Sequence, residues 1–344
     1  MTNAQLNLIC PACTAELVER TNGLECLGCH TVWPVVDGIP SFVQSTDFWG
    51  ETGVTEQATL ELVRRSADRN WREVIHEMPP LMKHYQSICD THRADWCDLL
   101  NLGKESTVLD LGAGMGAISQ ALSTRYDHVY SVEPVNARLQ FLRLRIAQEG
   151  CKGISLIRAG IDALPFQENM FDLIVLSGVL EWLPFARKQD NPREAQLYYL
   201  GLLKKLLKPG GVIYVGIENR YTYDLLIGAA DPHIDVKGVT VAPRWMADII
   251  CKRRIGDRYR PYLYSNRGYA KLMAEAGYRE CRVLSALPSY YNAKKIRPLT
   301  LHSSEWRDDV WQTKNPISRV VKRGMITLDL LKYLGYAYVV FAEK

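Results

Sequence analysis

Hydrophobic residues in the first hundred positions follow a helical period. Between Thr55 and Met78 apolar side chains recur every three or four residues, which predicts an amphipathic helix ending at Pro79-Pro80. Its apolar positions are Leu60, Val63, Ala67, Trp71 and Val74. A second helical pattern covers about residues 82–100. We expect both helices to pack against the domain that follows, with a lid over a bound ligand as the alternative.

From residue 106 onward, short apolar runs alternate with helical patterns, which indicates an α/β fold. Five runs predict strands at residues 106–111, 128–132, 154–159, about 171–177 and 212–217, and two later runs predict strands at about 280–286 and 336–342. Helices are predicted at 136–149 and 193–207. In the first of these helices, Arg138, Arg143 and Arg145 are expected on the solvated face.

A glycine loop follows the first of these strands. Residues 112–116 (GAGMG) connect it to a helix, and glycines allow a sharp turn and a close ligand approach. One strand later Glu133 ends the second strand, where a carboxylate suits the hydroxyls of a ribose. This combination predicts a ligand that contains adenosine.

The loop also satisfies a dinucleotide pattern. Gly112, Gly114 and Ala117 match G-x-G-x-x-G/A, which is a weak pattern alone. Asp110 before the loop and the additional Gly116 favour a different nucleotide. Asp162, after the third strand, is placed to accept from an adenine amino group.

The order of these pieces, from about Ser106 to Ile217, resembles the class I S-adenosylmethionine-dependent methyltransferases. The resemblance implies a seven-stranded Rossmann-like sheet with helices on both faces. It assigns the methionine end and the loop to Asp110, Gly112, Gly114 and Gly116. It assigns the ribose to Glu133, the adenine to Ile161 and Asp162, and the methionine amino group to the backbone at Ser177.

Four cysteines stand within twenty residues of one another near the start of the chain. Cys10, Cys13, Cys26 and Cys29 have the spacing C-x2-C-x12-C-x2-C, which predicts a tetrahedral Zn²⁺ site. Because protein ligands would fill all four positions, the zinc is expected to be structural. A disulfide pair or a redox dithiol is the alternative. This segment resembles the zinc ribbon of small activator proteins of tRNA methyltransferases and the ribbon fused to some 23S rRNA guanine methyltransferases.

Two insertions are expected to cap the acceptor, at about 218–265 and 287–335. Several of their segments resemble methyltransferase modules found beside bacterial surface-polysaccharide glycosyltransferases, which implies a small-molecule or saccharide-type acceptor. A hydroxyl acceptor would need a base, for which the candidates include Glu181, Glu218 and His233. His233 is preferred because an unperturbed imidazole titrates near neutrality, although a turn or capping role is the alternative.

Charge and composition add constraints. The 344 residues contain 42 basic and 38 acidic side chains, a balance of +4 that does not by itself indicate a nucleic-acid-binding protein. An RNA methyltransferase is nevertheless an alternative, suggested by the ribbon and by Lys252, Arg253, Arg254, Arg258 and Arg260. A non-catalytic partner protein with a vestigial cofactor fold is a second alternative.

The sequence shows neither a secretory start nor a membrane span, so a cytoplasmic protein is expected. Its oligomeric state is open. The expected organisation is a zinc ribbon at 1–45, a helical linker or lid at 46–105 and a methyltransferase domain at 106–344.

Overall fold

The computed structural model describes residues 6–43, 54–305 and 316–344. The chain divides into two compact units. The first consists of Met1–Leu176, Leu202–Val212 and Lys344, and the second of Ser177–Gly201 and Ile213–Glu343.

The first unit begins with small antiparallel strands. Three of them pair in order: β1 (Leu17–Arg20), β2 (Gly23–Cys26) and β3 (Val32–Trp33). Two more form a separate pair: β4 (Val35–Val36) and β5 (Ile39–Pro40). Gly23 opens β2 with φ +140°, and a Cβ there would lie 2.2 Å from the carbonyl oxygen of Trp33. A larger residue would therefore push these strands apart.

Short helices replace the two long helices that the sequence predicted. They are α1 (Glu56–Arg65), α2 (Trp71–His76), α3 (Pro79–Met82) and α4 (Tyr85–Cys89), followed by a 3₁₀ segment, Thr91–Leu99. The break after α1 occurs because Asn70 caps a new helix, accepting a hydrogen bond from the Arg72 amide. The pair Pro79-Pro80 opens α3 instead of ending a helix, since proline is tolerated in a first helical turn.

The helical pattern also placed the wrong leucine in the core. Leu60 is 39% exposed, whereas Leu62 on the same helix is fully buried. Leu62 packs in a cluster with Trp71, Val74 and Met115. Because Met115 belongs to the glycine loop, these helices and the loop share one apolar core.

Four parallel strands form the sheet of the first unit, in the order β9-β6-β7-β8. They are β6 (Thr107–Leu111), β7 (His128–Val132), β8 (Ile154–Ile157) and β9 (Phe171–Ser177). Helices α5 (Ala117–Ser123), α6 (Asn136–Glu149) and α7 (Pro192–Leu206) follow β6, β7 and β9 along the chain. In the central register Asp110 of β6 lies opposite Ser131 of β7 and Val175 of β9.

The cysteine-bearing segment contacts the edge of this sheet just beyond β8. Ser41 forms a parallel bridge with Arg158. The Arg158 amide donates to Pro40 O at 2.9 Å, and the Phe42 amide donates to Arg158 O at 2.7 Å. These bonds satisfy part of an edge that would otherwise expose unpaired backbone groups.

In its described residues, the second unit contains three antiparallel strands and five α-helices after β10 (Leu207–Glu218), a strand that starts in the first unit. The helices are α8 (Tyr223–Leu226), α9 (Arg244–Ile255), α10 (Asn266–Glu275) and, near the end, α11 (Pro316–Thr327), with a further short turn, α12 (Leu331–Leu334). The strands are β11 (Arg279–Leu287), β12 (Lys295–Pro298) and β13 (Ala337–Glu343). Their order is β12-β11-β13-β10, with β11 antiparallel to both β12 and β13.

The α/β fold class is confirmed, with a mixed sheet of eight strands in place of the seven predicted. The extra strand is β12, which lies within the second predicted insertion and adds an edge to β11. No helix in the described segments combines the length and the hydrophobicity that crossing a bilayer requires.

The burial of α1 leads to a matched pair of substitutions. We expect Leu62→Ala to lower the free energy of unfolding by about 2–5 kcal/mol, because it leaves a cavity among packed side chains. Leu60→Ala should change it by less than about 1 kcal/mol, since the side chain is largely exposed. Urea denaturation of both variants compares them directly. Equal losses would mean that the helix presents a different face to the core.

Candidate active site

The glycine loop has a backbone that only glycine adopts easily. Gly112, Gly114 and Gly116 have φ values of +72°, +55° and +82°. A Cβ on Gly116 would lie 2.1 Å from Leu142 Cδ1, so this glycine allows the loop to pack on α6. A Cβ on Gly114 would meet only the Gly112 carbonyl oxygen, at 3.9 Å. The backbone at Gly114 therefore has an open side that a ligand can approach.

Glu133, directly after β7, holds this loop. Its Oε2 accepts a hydrogen bond from the Gly114 amide at 2.9 Å, and its Oε1 accepts one from the Val135 amide at 3.1 Å. Arg138 Nη1 lies 3.7 Å from Oε1, and the glutamate is only 2% exposed. The carboxylate therefore fixes the position of the loop, and its predicted role in binding a ribose stays a prediction.

Asp110, which the resemblance assigned to the methionine end of the cofactor, is buried beneath the loop. Its Oδ2 accepts from the Ser119 hydroxyl at 2.6 Å, and Ser119 accepts from the Ser131 hydroxyl at 2.9 Å. Burial raises the pKa of Asp110 to about 6. The carboxyl group thus ties β6 to α5 beneath the loop.

The remaining predicted cofactor residues lie at two other places. Ile161 and Asp162 open a single 3₁₀ turn, Ile161–Ala163, a few residues after β8. Ile161 is buried and Asp162 is exposed. Ser177 is the last residue of β9 and the first residue of the second unit.

The second unit brings the three predicted catalytic residues together. His233 Nε2 lies 3.6 Å from Glu181 Oε1 and 3.8 Å from Glu218 Oε2. Their side chains are only 5%, 1% and 9% exposed. Glu181 Oε2 and Glu218 Oε2 are buried without any hydrogen-bond partner. We call these three residues the acidic–imidazole cluster.

Asp231 shapes the loop that carries His233. Its carboxylate accepts from the His233 amide at 2.9 Å and from the hydroxyls of Thr240 and Tyr259 at 2.5 and 2.8 Å. Its Oδ1 lies 3.3 Å from His233 Nδ1. The Trp182 ring packs edge-on against the imidazole, with centroids 5.3 Å apart. Asp231 therefore forms the turn, and His233 points into the cluster.

The surroundings change the titration of both His233 and Glu218. Burial alone would lower the pKa of His233, but the nearby carboxylates of Asp231, Glu181 and Glu218 raise it well above its usual value. Burial and the charge of Glu181 raise the pKa of Glu218 to about 7. The unperturbed imidazole assumed from the sequence does not describe this environment, because three carboxylates surround His233.

The four amino-terminal cysteines also converge. Their sulfur atoms all lie within 4.8 Å of one another, with Cys10 and Cys29 3.7 Å apart and Cys13 and Cys26 3.3 Å apart. All nine cysteines of the chain are free thiols. His30, next to Cys29 in the chain, is not part of this cluster. The amides of Gly28 and Cys29 both donate to Cys26 Sγ, at 3.3 and 3.4 Å.

A family profile described as "Methyltransferase domain" matches residues 109–215. Residues 109–215 are a methyltransferase domain. The match begins within β6, includes the glycine loop and Glu133, and ends in β10. The predicted S-adenosylmethionine-dependent methyltransferase fold is thereby confirmed.

Curated relatives of the domain act on different acceptors. A protein-L-isoaspartate O-methyltransferase of Methanothrix thermoacetophila is 29% identical over 50% of this chain and 78% of its own length. A demethylmenaquinone methyltransferase of Clavibacter sepedonicus is 32% identical over 37% of this chain and 50% of its own. An 18S rRNA (guanine(1575)-N(7))-methyltransferase of Saccharomyces cerevisiae is 29% identical over 33% of this chain and 41% of its own. The chain thus spans half or less of two of these relatives.

The prediction for Arg145, a residue beside the glycine loop, was wrong. Arg145 of α6 was expected in solvent, but it is fully buried. Its guanidinium donates to Gln120 Oε1 at 2.8 Å, to Met115 O at 3.0 Å and to Ile88 O. Burial lowers its pKa to about 10. Helical periodicity alone could not find this role, because the partners are mostly backbone carbonyls on other elements.

The buried Asp110 predicts a pH-dependent stability. The folded chain protonates this carboxyl near pH 6, whereas the unfolded chain does so near its ordinary pKa of 3.8. The folded state therefore binds an extra proton between these values, so its stability falls as the pH rises through this window. Asp110→Asn removes that dependence and keeps an acceptor for Ser119.

We expect the stability of Asp110→Asn relative to the wild type to increase by about 2–3 kcal/mol between pH 4 and pH 7.5. Urea denaturation across this range measures the difference, with the exposed Asp127→Asn as the control. A difference that does not change with pH would show that Asp110 is not desolvated in the folded chain.

Proposed function

We propose that this chain transfers a methyl group from S-adenosylmethionine to a small-molecule or saccharide-type acceptor by in-line attack. The acidic–imidazole cluster supports this proposal, because one carboxylate oxygen of each glutamate, Oε2, is buried without a hydrogen-bond partner. Such atoms are rare in folded proteins unless a ligand satisfies them. A hydroxyl group of an acceptor would do so by donating its hydrogen.

Most of the residues assigned to the cofactor belong to the first unit. The open backbone at Gly114 and the Glu133 carboxylate support binding of the methionine portion and of the ribose. Ile161, Asp162 and Ser177 retain the adenine and amino-group roles that the resemblance assigned to them. Asp110 would act through the position of the loop, since its carboxyl is bonded to Ser119. The bound cofactor would supply an electrophilic methyl group on a sulfonium.

The acidic–imidazole cluster would prepare the acceptor. Glu181 and Glu218 orient the acceptor hydroxyl, and a carboxylate accepts its proton as the new bond to the methyl carbon forms. The bond between that carbon and sulfur breaks at the same time, and its electron pair remains on sulfur as S-adenosylhomocysteine. His233 lies beside both carboxylates, with its Nε2 3.6 Å from Glu181 Oε1 and 3.8 Å from Glu218 Oε2. Positioning and desolvation would provide most of the rate acceleration.

Two structural features favour a small acceptor over RNA. The cluster is almost completely buried, which suits a compact acceptor group. Of the basic residues that suggested RNA, Arg260 is 5% exposed and bonds Asp257 and the carbonyl oxygen of Lys188. The exposed basic residues that remain on α9 are Lys252, Arg253 and Arg254. Because a relative modifies rRNA, RNA stays the second candidate.

One experiment tests the acceptor and the residues together. The chain is incubated with methyl-labelled S-adenosylmethionine and a cell extract separated into RNA, protein and small-metabolite fractions. We expect label in the small-metabolite fraction. His233→Ala and Glu218→Gln should reduce the labelling rate by about 100-fold or more, the range typical of a lost acid–base group. Their affinity for the cofactor should stay within about threefold of wild type.

Glu194→Gln is the matched control, because Glu194 is an exposed glutamate of the same unit. Circular dichroism confirms that each variant is folded. Label in RNA would establish the second candidate. If both cluster variants keep the wild-type labelling rate, the acidic–imidazole cluster has no role in catalysis.

We further propose that the four cysteines bind a structural Zn²⁺. Four thiolates around zinc at about 2.3 Å place neighbouring sulfurs about 3.8 Å apart. The observed pairs at 3.3 and 3.7 Å are close to that geometry. Amide donation to Cys26 Sγ is the kind of contact that stabilises a thiolate. The chemistry of this donor set therefore fits zinc, and no ligand position would be left for a substrate.

Removal of one thiolate tests the zinc. We expect the wild type to retain one zinc per chain and Cys26→Ser to retain less than half of it, because a three-thiolate site is incomplete. Cys26→Ser should also unfold at a lower urea concentration. Atomic emission and urea denaturation measure both, with Cys151→Ser as a cysteine control outside the cluster. Full zinc content in Cys26→Ser would contradict the assignment.

A further inference from the structure

The acidic–imidazole cluster carries more negative charge than its protein surroundings balance. Glu181, Glu218 and Asp231 are all buried, and His233 can contribute at most one positive charge. No lysine or arginine forms an ion pair with these carboxylates in the described parts of the chain. Buried carboxylates without counter-charges are strongly unfavourable, so the site calls for a cation or for shared protons.

The positions of the ligand atoms favour a cation. One oxygen of each glutamate and one nitrogen of His233 lie within 4.8 Å of one another. The contacts of His233 Nε2, at 3.6 and 3.8 Å, exceed hydrogen-bond length. Direct bonds between these groups would bring them closer. Ligands that share one ion stand about 3 Å or more apart, since each lies about 2 Å from the metal.

The outer contacts of His233 are those of a metal-binding imidazole. Nδ1 lies 3.3 Å from Asp231 Oδ1, outside hydrogen-bond geometry, and the negative charge of this carboxylate favours the tautomer with its proton on Nδ1, which leaves Nε2 free to coordinate. Asp231 is itself held by Thr240 and Tyr259. A carboxylate behind a histidine is a common arrangement at metal sites, because it fixes the direction of the ring.

We propose that Glu181, Glu218 and His233 bind a divalent metal ion, with Mn²⁺ as the best match among common ions. Two carboxylates favour oxygen-seeking ions such as Mg²⁺ and Mn²⁺, whereas the imidazole favours Mn²⁺ or Zn²⁺ over Mg²⁺. Three protein ligands leave coordination positions open. An acceptor hydroxyl bound there would lose its proton more readily, and the carboxylate oxygen of Glu181 or Glu218 that does not bind the ion would accept that proton.

This role of the ion rests on the proposed function, but the binding does not. It is measured on the full chain with its thiolate-bound zinc retained and with neither cofactor nor acceptor present. Mn²⁺ is the probe because thiolates bind it weakly, so that the cysteine cluster does not compete. Electron paramagnetic resonance reports the free Mn²⁺ as the ion is titrated.

We expect one Mn²⁺ per chain with a dissociation constant below about 0.1 mM. Glu181→Gln and Glu218→Gln should each weaken it by about tenfold or more, since each removes a charged ligand. The control Glu194→Gln should bind as the wild type does. Competition by Mg²⁺ and by Zn²⁺ ranks the ions, and stronger displacement by Zn²⁺ would still support a metal site.

Wild-type protein that leaves Mn²⁺, Mg²⁺ and Zn²⁺ free would overturn the proposal. So would binding that is equal in both glutamine variants and the wild type. If the ion does not bind but His233→Ala still abolishes methyl transfer, the metal proposal is wrong and the proposed function stands. If the ion binds while the variants keep their labelling rates, the metal site stands and the catalytic role of the cluster does not.

Discussion

A carboxylate that holds a glycine loop is the contact on which the first unit depends. Glu133 accepts the Gly114 amide, and the three glycines of the loop all have left-handed backbone. The loop could not close over α6 with a larger residue at position 116. The same contact sets the spacing between β6, β7 and the helix after β6. Any adenosine-containing ligand of this unit would therefore meet a surface that is already shaped, which reduces the ordering that binding requires.

The sequence predicted this part of the chain well because local chemistry determines it. Three closely spaced glycines at 112, 114 and 116 predict a tight turn with left-handed backbone. The strands around them are short, continuous apolar runs. The cysteine spacing was equally informative, since two C-x-x-C pairs place four sulfurs within 4.8 Å of one another. Glu181, Glu218 and His233 were named as candidate bases for a hydroxyl acceptor, and in the structure their ligand atoms lie within 4.8 Å of one another.

Long-range packing accounts for the errors. Leu60 and Leu62 both fit an amphipathic helix, and only contact with Trp71 and Met115 decides which is buried. Arg145 was expected in solvent because it is charged, yet its guanidinium donates to backbone carbonyls of two other segments. The raised pKa of His233 is partly non-local, because Glu181 and Glu218 come from other segments, whereas Asp231 belongs to the same turn as the histidine. A single sequence does not show which distant residues come into contact.

The central claim is that the first unit binds S-adenosylmethionine through the loop and Glu133. Isothermal titration calorimetry tests it most directly. We expect the wild-type chain to bind one cofactor. Glu133→Gln should bind it at least tenfold more weakly, a loss of about 1.4 kcal/mol of binding free energy. The exposed Glu168→Gln serves as the matched control and should bind normally. A wild-type chain that gives no heat with S-adenosylmethionine, or that binds a nicotinamide dinucleotide instead, would contradict the account.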